Sequence, residues 1–180
     1  TDMSDPDLDV CITESSRLSP DDRERIITLC TESFGQDYRP LIDSFSDATH
    51  VIGCRQGLLV SHALWVTRWF QVEEEPLMKT AYIEAMVTDP FYRDRGYASM
   101  VLNRLVEELS DFELAALRTG FPEFYLRLGW QIWEGPTFIR TQEGMTLTTG
   151  EPIMVLTLPN SPDIDIHASL SAEWREGELW

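Results

Sequence analysis

The chain has 180 residues, 43% hydrophobic and 11% aromatic, which suits one domain with a real core and excludes disordered and fibrous classes. Thirty-one acids against 14 Lys and Arg give a net charge of −17, so phosphate backbones and anionic membrane surfaces are repelled and are not expected as partners. No apolar run approaches the ~20 residues of a membrane span; the best one, residues 57–66, carries His62 and reads as a buried strand.

Taken in chain order, residues 1–6 have neither a basic flank nor an apolar core, so no secretory signal is expected, and Met3 is a candidate start. A first strand is expected over residues 10–13. Ser19-Pro20-Asp21-Asp22 then reads as a helix start: an N-cap serine, a proline at the first position and acids at the positive end of the dipole. Ile26, Leu29, Cys30 and Ser33 form its expected inner face. Residues 34–47 have weak periodicity and read as an irregular loop or broken helix. Strands over 50–54 and 58–71 meet at Gln56-Gly57 as a hairpin. Another strand spans 79–88 and stops at Asp89-Pro90. From 96 to 109, Ala98, Val101, Leu102, Leu105 and Leu109 follow helical spacing. A strand over 113–118 and a short helix over 122–128 ending at Gly129 follow. The remainder reads as strands at 131–133, 137–141, 145–148, 153–158 and 164–168. The pattern is α+β, a mixed sheet with flanking helices, in a single domain over 1–180. Cys11, Cys30 and Cys54 have no C-x-x-C spacing and read as free thiols of a reducing, cytoplasmic compartment.

The passage from Ala81 to Ala98 carries the chemistry. A strand runs into a loop, Arg93-Asp94-Arg95-Gly96-Tyr97-Ala98, that opens a helix at a glycine. The main-chain N–H groups of such a loop, at the positive end of a helix, suit a pyrophosphate. A plain helix start with a structural glycine fits the same residues. The spacing matches neither G-x-x-x-x-G-K-[ST] nor G-x-G-x-x-G, which counts against nucleotide hydrolysis and dinucleotide redox chemistry. His50, His62 and His167 have no ligand spacing, so no metal is expected, and no G-x-S-x-G elbow is present.

Arg93–Ala98 resembles the [QR]-x-x-G-x-[GA] pyrophosphate loop of the GCN5-related N-acetyltransferases (GNAT). Phe124-Tyr125-Leu126-Arg127-Leu128-Gly129-Trp130 resembles the second signature of that superfamily. Within it, Ala81-Tyr82-Ile83-Glu84, Trp133-Glu134-Gly135-Pro136-Thr137 and the ending Trp174-Arg175-Glu176-Gly177-Glu178-Leu179-Trp180 are similar to aminoglycoside 2′-N-acetyltransferases. The chain departs from that subfamily at Ala85, where glycine is common, and in the loop near Gly150. The resemblance implies the GNAT fold, acetyl-CoA as acyl donor, a cationic aminoglycoside as acceptor, direct attack in a ternary complex, and a homodimer.

It also implies roles. The backbone of Met86, Val87 and Thr88 pairs with the pantetheine arm, and Arg93, Asp94, Arg95, Gly96, Tyr97 and Ala98 surround the pyrophosphate. Glu84 removes an amine proton through water, and Tyr125 donates to the departing thiolate. Asp37, Asp43, Glu84, Ala85, Glu151, Glu178 and Trp180 line the acceptor site, with residues 159–180 contributing a last strand and tail. A unit-charge pair at ~4 Å is worth ~4 kcal/mol at an effective dielectric of 20 before desolvation, so several carboxylates would dominate recognition of a polycation. Read from the residues alone, Glu84 is also a candidate solvated edge acid or a partner of Arg68. Two further readings stay open: acetylation of another polyamine or a peptide amine, and a non-catalytic acidic module that sequesters cations.

Overall fold

The computed structural model describes residues 7–180; the candidate start at Met3 and the segment read as lacking a signal lie outside the described residues. The elements, in chain order, are β1 (Leu8–Glu14), α1 (Pro20–Phe34), α2 (Arg39–Ser44), β2 (Thr49–Arg55), β3 (Leu58–Val72), β4 (Met78–Thr88), α3 (Tyr97–Glu107), β5 (Leu114–Arg118), α4 (Pro122–Arg127), β6 (Gln131–Ile132), β7 (Thr137–Thr141), β8 (Gly144–Thr148), β9 (Ile153–Thr157) and β10 (Leu170–Glu173). No helix among the described residues is long and apolar enough to cross a membrane. The sheet is mixed: β4 pairs β5 and β10 pairs β7 in parallel, and the other recorded pairs are antiparallel.

The local chemistry explains most boundaries. Ser19 caps α1 by accepting from Asp22 N at 3.1 Å, and Gly35 ends the helix in the left-handed region. The broken stretch after α1 contains the short α2. Gln56 and Gly57 both have positive φ (50° and 81°), the geometry of a two-residue hairpin between β2 and β3. Two expectations need correction. Ser33 is exposed, and Ile27 joins Ile26, Leu29 and Cys30 on the buried face of α1, since its last turn runs out beyond the core. The expected strand over 164–168 is a turn: Ala168 N donates to Asp165 O, His167 N donates to Asp165 Oδ1, and Glu134 N and Gly135 N both donate to Ile166 O. The last strand is instead β10.

The chain divides into two compact units. The first holds described residues up to Val66 together with Ile83–Glu108. Its strands pair β1 to β2 to β3. Helix α3 lies on β1 and β2 with Val101, Leu102 and Leu105 buried. Gly53 in β2 permits this approach: a Cβ there would stand 3.2 Å from Val101 and 3.3 Å from Leu8. The second unit holds Thr67–Tyr82 and Leu109–Trp180. There the strand order is β6-β9-β5-β4-β3-β10-β7-β8, taken over the parts of β3 and β4 that belong to it. Phe70, Leu114, Ala116, Met154, Leu170 and Ala172 fill its core.

Candidate active site

In the first unit the loop after β4 is braced before it reaches α3. Asp89 is buried. Its Oδ2 accepts from Arg25 Nη2 at 2.5 Å, its Oδ1 accepts from Phe91 N at 3.0 Å, and its own N–H donates to Val60 O at 2.7 Å. The chain then turns through Asp94 (φ 63°) and Gly96 (φ 80°), with Arg93 extended. Gly96 is the N-cap of α3 and holds a left-handed conformation that side chains rarely adopt. The first N–H groups of an α-helix lie at its positive end, and those of Ala98 and Ser99 stand in the opening turn of α3. Arg93 and Arg95 are exposed beside them, Arg95 lying 5.4 Å from the Tyr92 ring centroid. These residues suit a diphosphate. Tyr97 can serve only through its backbone: its side chain is buried against Leu8 and Val60, and its hydroxyl accepts from Arg55 Nη1 at 2.8 Å.

Along β4, Glu84, Met86 and Thr88 are half-buried while Ala85 and Val87 are buried, the alternation a half-covered strand requires. Ala85 has φ 54°, left-handed inside a strand. That is the position where the resembling subfamily commonly carries glycine, and the backbone conformation supplies the reason. The Thr88 and Ser61 hydroxyls lie 2.9 Å apart, and Ser61 Oγ donates to Val87 O. Arg68, in the second unit, is ion-paired with Glu173.

Asp37 and Asp43 lie around α2. Asp37 Oδ1 accepts from Arg39 N at 3.0 Å, and Asp43 is ion-paired with Arg23. Both are exposed.

The second unit gathers the remaining acceptor-site candidates. An open pocket of about 160 Å³ is lined by Arg118, Trp133, Thr148, Glu151 and Trp180, among others. Glu178 Oε2 stands 3.7 Å from Arg118 Nη2, and Glu151 Oε2 stands 4.0 Å from Arg118 Nε. The two carboxylates thus already face one cation. Trp180 is only 5% exposed: its indole donates to Thr148 Oγ1 at 2.9 Å and meets Phe70 edge-on at 5.3 Å. It forms a wall of the pocket with most of its ring covered. Tyr125, on α4, is buried, with Phe124 and Trp130 edge-to-face against it. Burial pushes its hydroxyl up to about 12, so it stays protonated at neutral pH.

Arg68 organises the tail. It is 2% exposed. Its Nε donates to Glu173 Oε1 at 2.7 Å, Nη2 to Glu173 O at 2.6 Å, and Nη1 to Leu179 O at 2.6 Å. The guanidinium also lies 5.2 Å from the Tyr82 ring centroid and 5.7 Å from that of Trp180. Burial, then Arg175, pull its pKa below the usual range, and Glu173 opposes them. The single sequence signal is an arginine inside a mostly apolar strand. Asp89 marks the end of β4 in the sequence as an aspartate just before a proline, whereas its pairing with Arg25 has no sequence signal.

A model of the acetyltransferase (GNAT) domain matches residues 14–133. An aminoglycoside 2′-N-acetyltransferase of Mycolicibacterium fortuitum is 27% identical over 182 residues, covering 94% of this chain and 90% of that protein. Among solved structures, the GNAT family N-acetyltransferase YhbS of Escherichia coli, in complex with CoA, aligns at TM-score 0.65 and 16% identity over 96% of this chain and 93% of its own. Eis1 of Mycobacterium abscessus aligns at TM-score 0.58 and 18% identity over 73% of this chain. This chain spans about a third of the length of Eis1 (32%).

Proposed function

This chain belongs to the GCN5-related N-acetyltransferase family, and from that premise we propose that it moves the acetyl group of acetyl-CoA onto the 2′-amine of an aminoglycoside. An N-acetyltransferase of this type needs an anion-binding loop for the donor, a base for the amine and a donor for the leaving thiolate. The observation that carries the aminoglycoside reading is the similarity to a 2′-N-acetyltransferase over 94% of this chain and 90% of that protein. The −17 charge and the paired carboxylates Glu151 and Glu178 beside Trp180 support a polycationic acceptor.

In this reading the diphosphate of acetyl-CoA is held by the N–H groups and arginines from Arg93 to Ala98, and the pantetheine arm pairs with the backbone of Met86, Val87 and Thr88 as an added strand. Glu84 takes a proton from the ammonium through water, leaving the lone pair that attacks. A C–N bond forms at the acetyl carbon and the C–S bond breaks. The amine gives up a second proton, and the thiolate of CoA ends as the thiol. With its hydroxyl at about 12, Tyr125 is a weaker acid than a thiol of pKa ~8.5, so it stabilises the thiolate by donating a hydrogen bond and passes a proton only as it regains one. Asp37, Asp43, Ala85, Glu151, Glu178 and Trp180 form the acceptor site. The chain works as a single domain, with residues 159–180 serving the acceptor, in a cytoplasmic homodimer. Free Cys11, Cys30 and Cys54 suit that compartment.

The test is a thiol-release screen with acetyl-CoA across aminoglycosides that have or lack a 2′-amine, together with spermidine and a lysine peptide. Turnover confined to acceptors with the 2′-amine supports the proposal. Equal turnover of 2′-deoxy acceptors, or preference for the polyamine or peptide, overturns the acceptor assignment and leaves the reaction class standing.

A further inference from the structure

Four residues of the first unit form one continuous hydrogen-bonded chain. Ser15 Oγ meets His50 Nε2 at 2.8 Å, His50 Nδ1 meets His62 Nε2 at 2.9 Å, and His62 Nδ1 meets Ala85 O at 2.8 Å. Both imidazoles are enclosed, His50 at 1% and His62 at 0% exposure. Burial pulls the pKa of His50 down to about 4; burial and then His50 pull that of His62 down to about 3. Both rings are therefore neutral at physiological pH.

Neutrality fixes every proton in the chain. A carbonyl oxygen only accepts, so His62 carries its hydrogen on Nδ1 and donates to Ala85. Its Nε2 is then an acceptor and takes the hydrogen of His50 Nδ1. The Nε2 of His50 in turn accepts from the Ser15 hydroxyl. Because the chain ends on a carbonyl, which holds no exchangeable proton, it cannot deliver a proton to an acceptor. It is a strut.

What it holds is the one residue of β4 whose backbone is left-handed. Ala85 is 5% exposed with φ 54°, a left-handed conformation that is strained for a residue with a Cβ. The strain lies between Glu84 and Met86, so the direction of the Glu84 carboxylate and of the Met86 N–H depends on keeping it. A leucine at position 62 would fill the space and leave the carbonyl unheld.

We propose that His62, backed by His50 and Ser15, is a positioning residue: its Nδ1–H holds the Ala85 carbonyl, keeps the left-handed turn of β4, and so aims Glu84 and the Met86 amide. The inference rests on the reading of Glu84 as the base and of β4 as the donor-binding strand.

Two measurements test it, and the first needs no turnover. Imidazole ¹⁵N NMR of the wild-type protein at pH 7 should show His50 and His62 neutral with hydrogen on Nδ1. Hydrogen on Nε2 of His62, or a charged ring, overturns the strut. The second compares His62→Asn with His62→Gln. The asparagine amide reaches the level of the Nδ1 donor, whereas the glutamine amide reaches that of Nε2. At matched thermal stability, kcat for the Gln variant should fall at least tenfold below that of the Asn variant, with KM for acetyl-CoA changed less than kcat. The gap should narrow at least threefold in an Ala85→Gly background, where the turn needs less support. Equal kcat in the Asn and Gln variants, or a gap undiminished by Ala85→Gly, overturns the proposal. If the wild type transfers acetyl to none of the screened amines, the reading of the reaction fails while the NMR result still decides the strut.

Discussion

Replacing His50 and His62 together, by Gln and Asn, should flatten the acid dependence of stability. In the folded chain the two rings titrate near 4 and near 3, against 6.5 when exposed. Below pH 6.5 the unfolded chain binds two protons that the folded chain refuses, so stability falls as pH falls, and it goes on falling until pH reaches the folded values. From pH 7.5 to 5 the loss amounts to about 2 kcal/mol for each ring and about 4 kcal/mol for the pair. For a chain of this size that corresponds to a drop in Tm of about 10 °C. The window is separate from that of carboxylates: Glu24, which the Arg39 hydrogen bond holds below its usual 4.5, loses its contribution only at lower pH. Urea unfolding followed by far-UV circular dichroism, at half-unit steps from pH 7.5 to 5, would compare the double variant with the wild type. Whatever the offset between them, the wild type should lose more stability across the window by that margin. Parallel curves would refute the claim that both rings are buried neutral.

Three further outcomes follow from the site. Glu84→Gln should lower kcat by about 10²–10⁴-fold at neutral pH, with the deficit shrinking as the acceptor amine deprotonates; a pH–rate profile of unchanged shape removes Glu84 as the base. Gly96→Val forces a β-branched residue to φ 80°, so isothermal titration should show acetyl-CoA binding weakened at least tenfold, and wild-type affinity would mean that the start of α3 does not grip the donor. Arg68→Lys keeps the charge and loses the fork that reaches Glu173 and Leu179; KM for the acceptor amine should rise about tenfold while acetyl-CoA binding holds, and an equal loss of both would make Arg68 a general stability residue.

What was readable in the sequence had local causes. Ser19-Pro20, Gln56-Gly57 and Asp89-Pro90 set boundaries through the conformations those residues prefer, and the structure ends or starts elements within a residue or two of them. The start of α3 was readable because a glycine stands just before the helical spacing, where the structure has Gly96 as a left-handed N-cap. The misplaced last strand shows the limit of pattern. Ile164 and Ile166 alternate with acids as a strand would, but Asp165 accepts the N–H groups of His167 and Ala168 and closes a turn. The true strand, Leu170–Glu173, is four residues long, too short to show a clear alternation. Long-range polar contacts have no local pattern that names the partner. Ser15 meets His50 across 35 residues, and Arg68 meets Glu173 across 105. Each of these residues alone looks like an ordinary surface serine, a core histidine or a solvated arginine. The left-handed Ala85 was half visible, as a departure from a glycine whose reason only the backbone supplies.

The most direct test of the account is a crystal structure of the protein grown with CoA. The account predicts the diphosphate on the main-chain N–H groups between Arg95 and Ala98, with Arg93 or Arg95 beside it. A diphosphate bound on any other surface, with those N–H groups left to solvent, would contradict it.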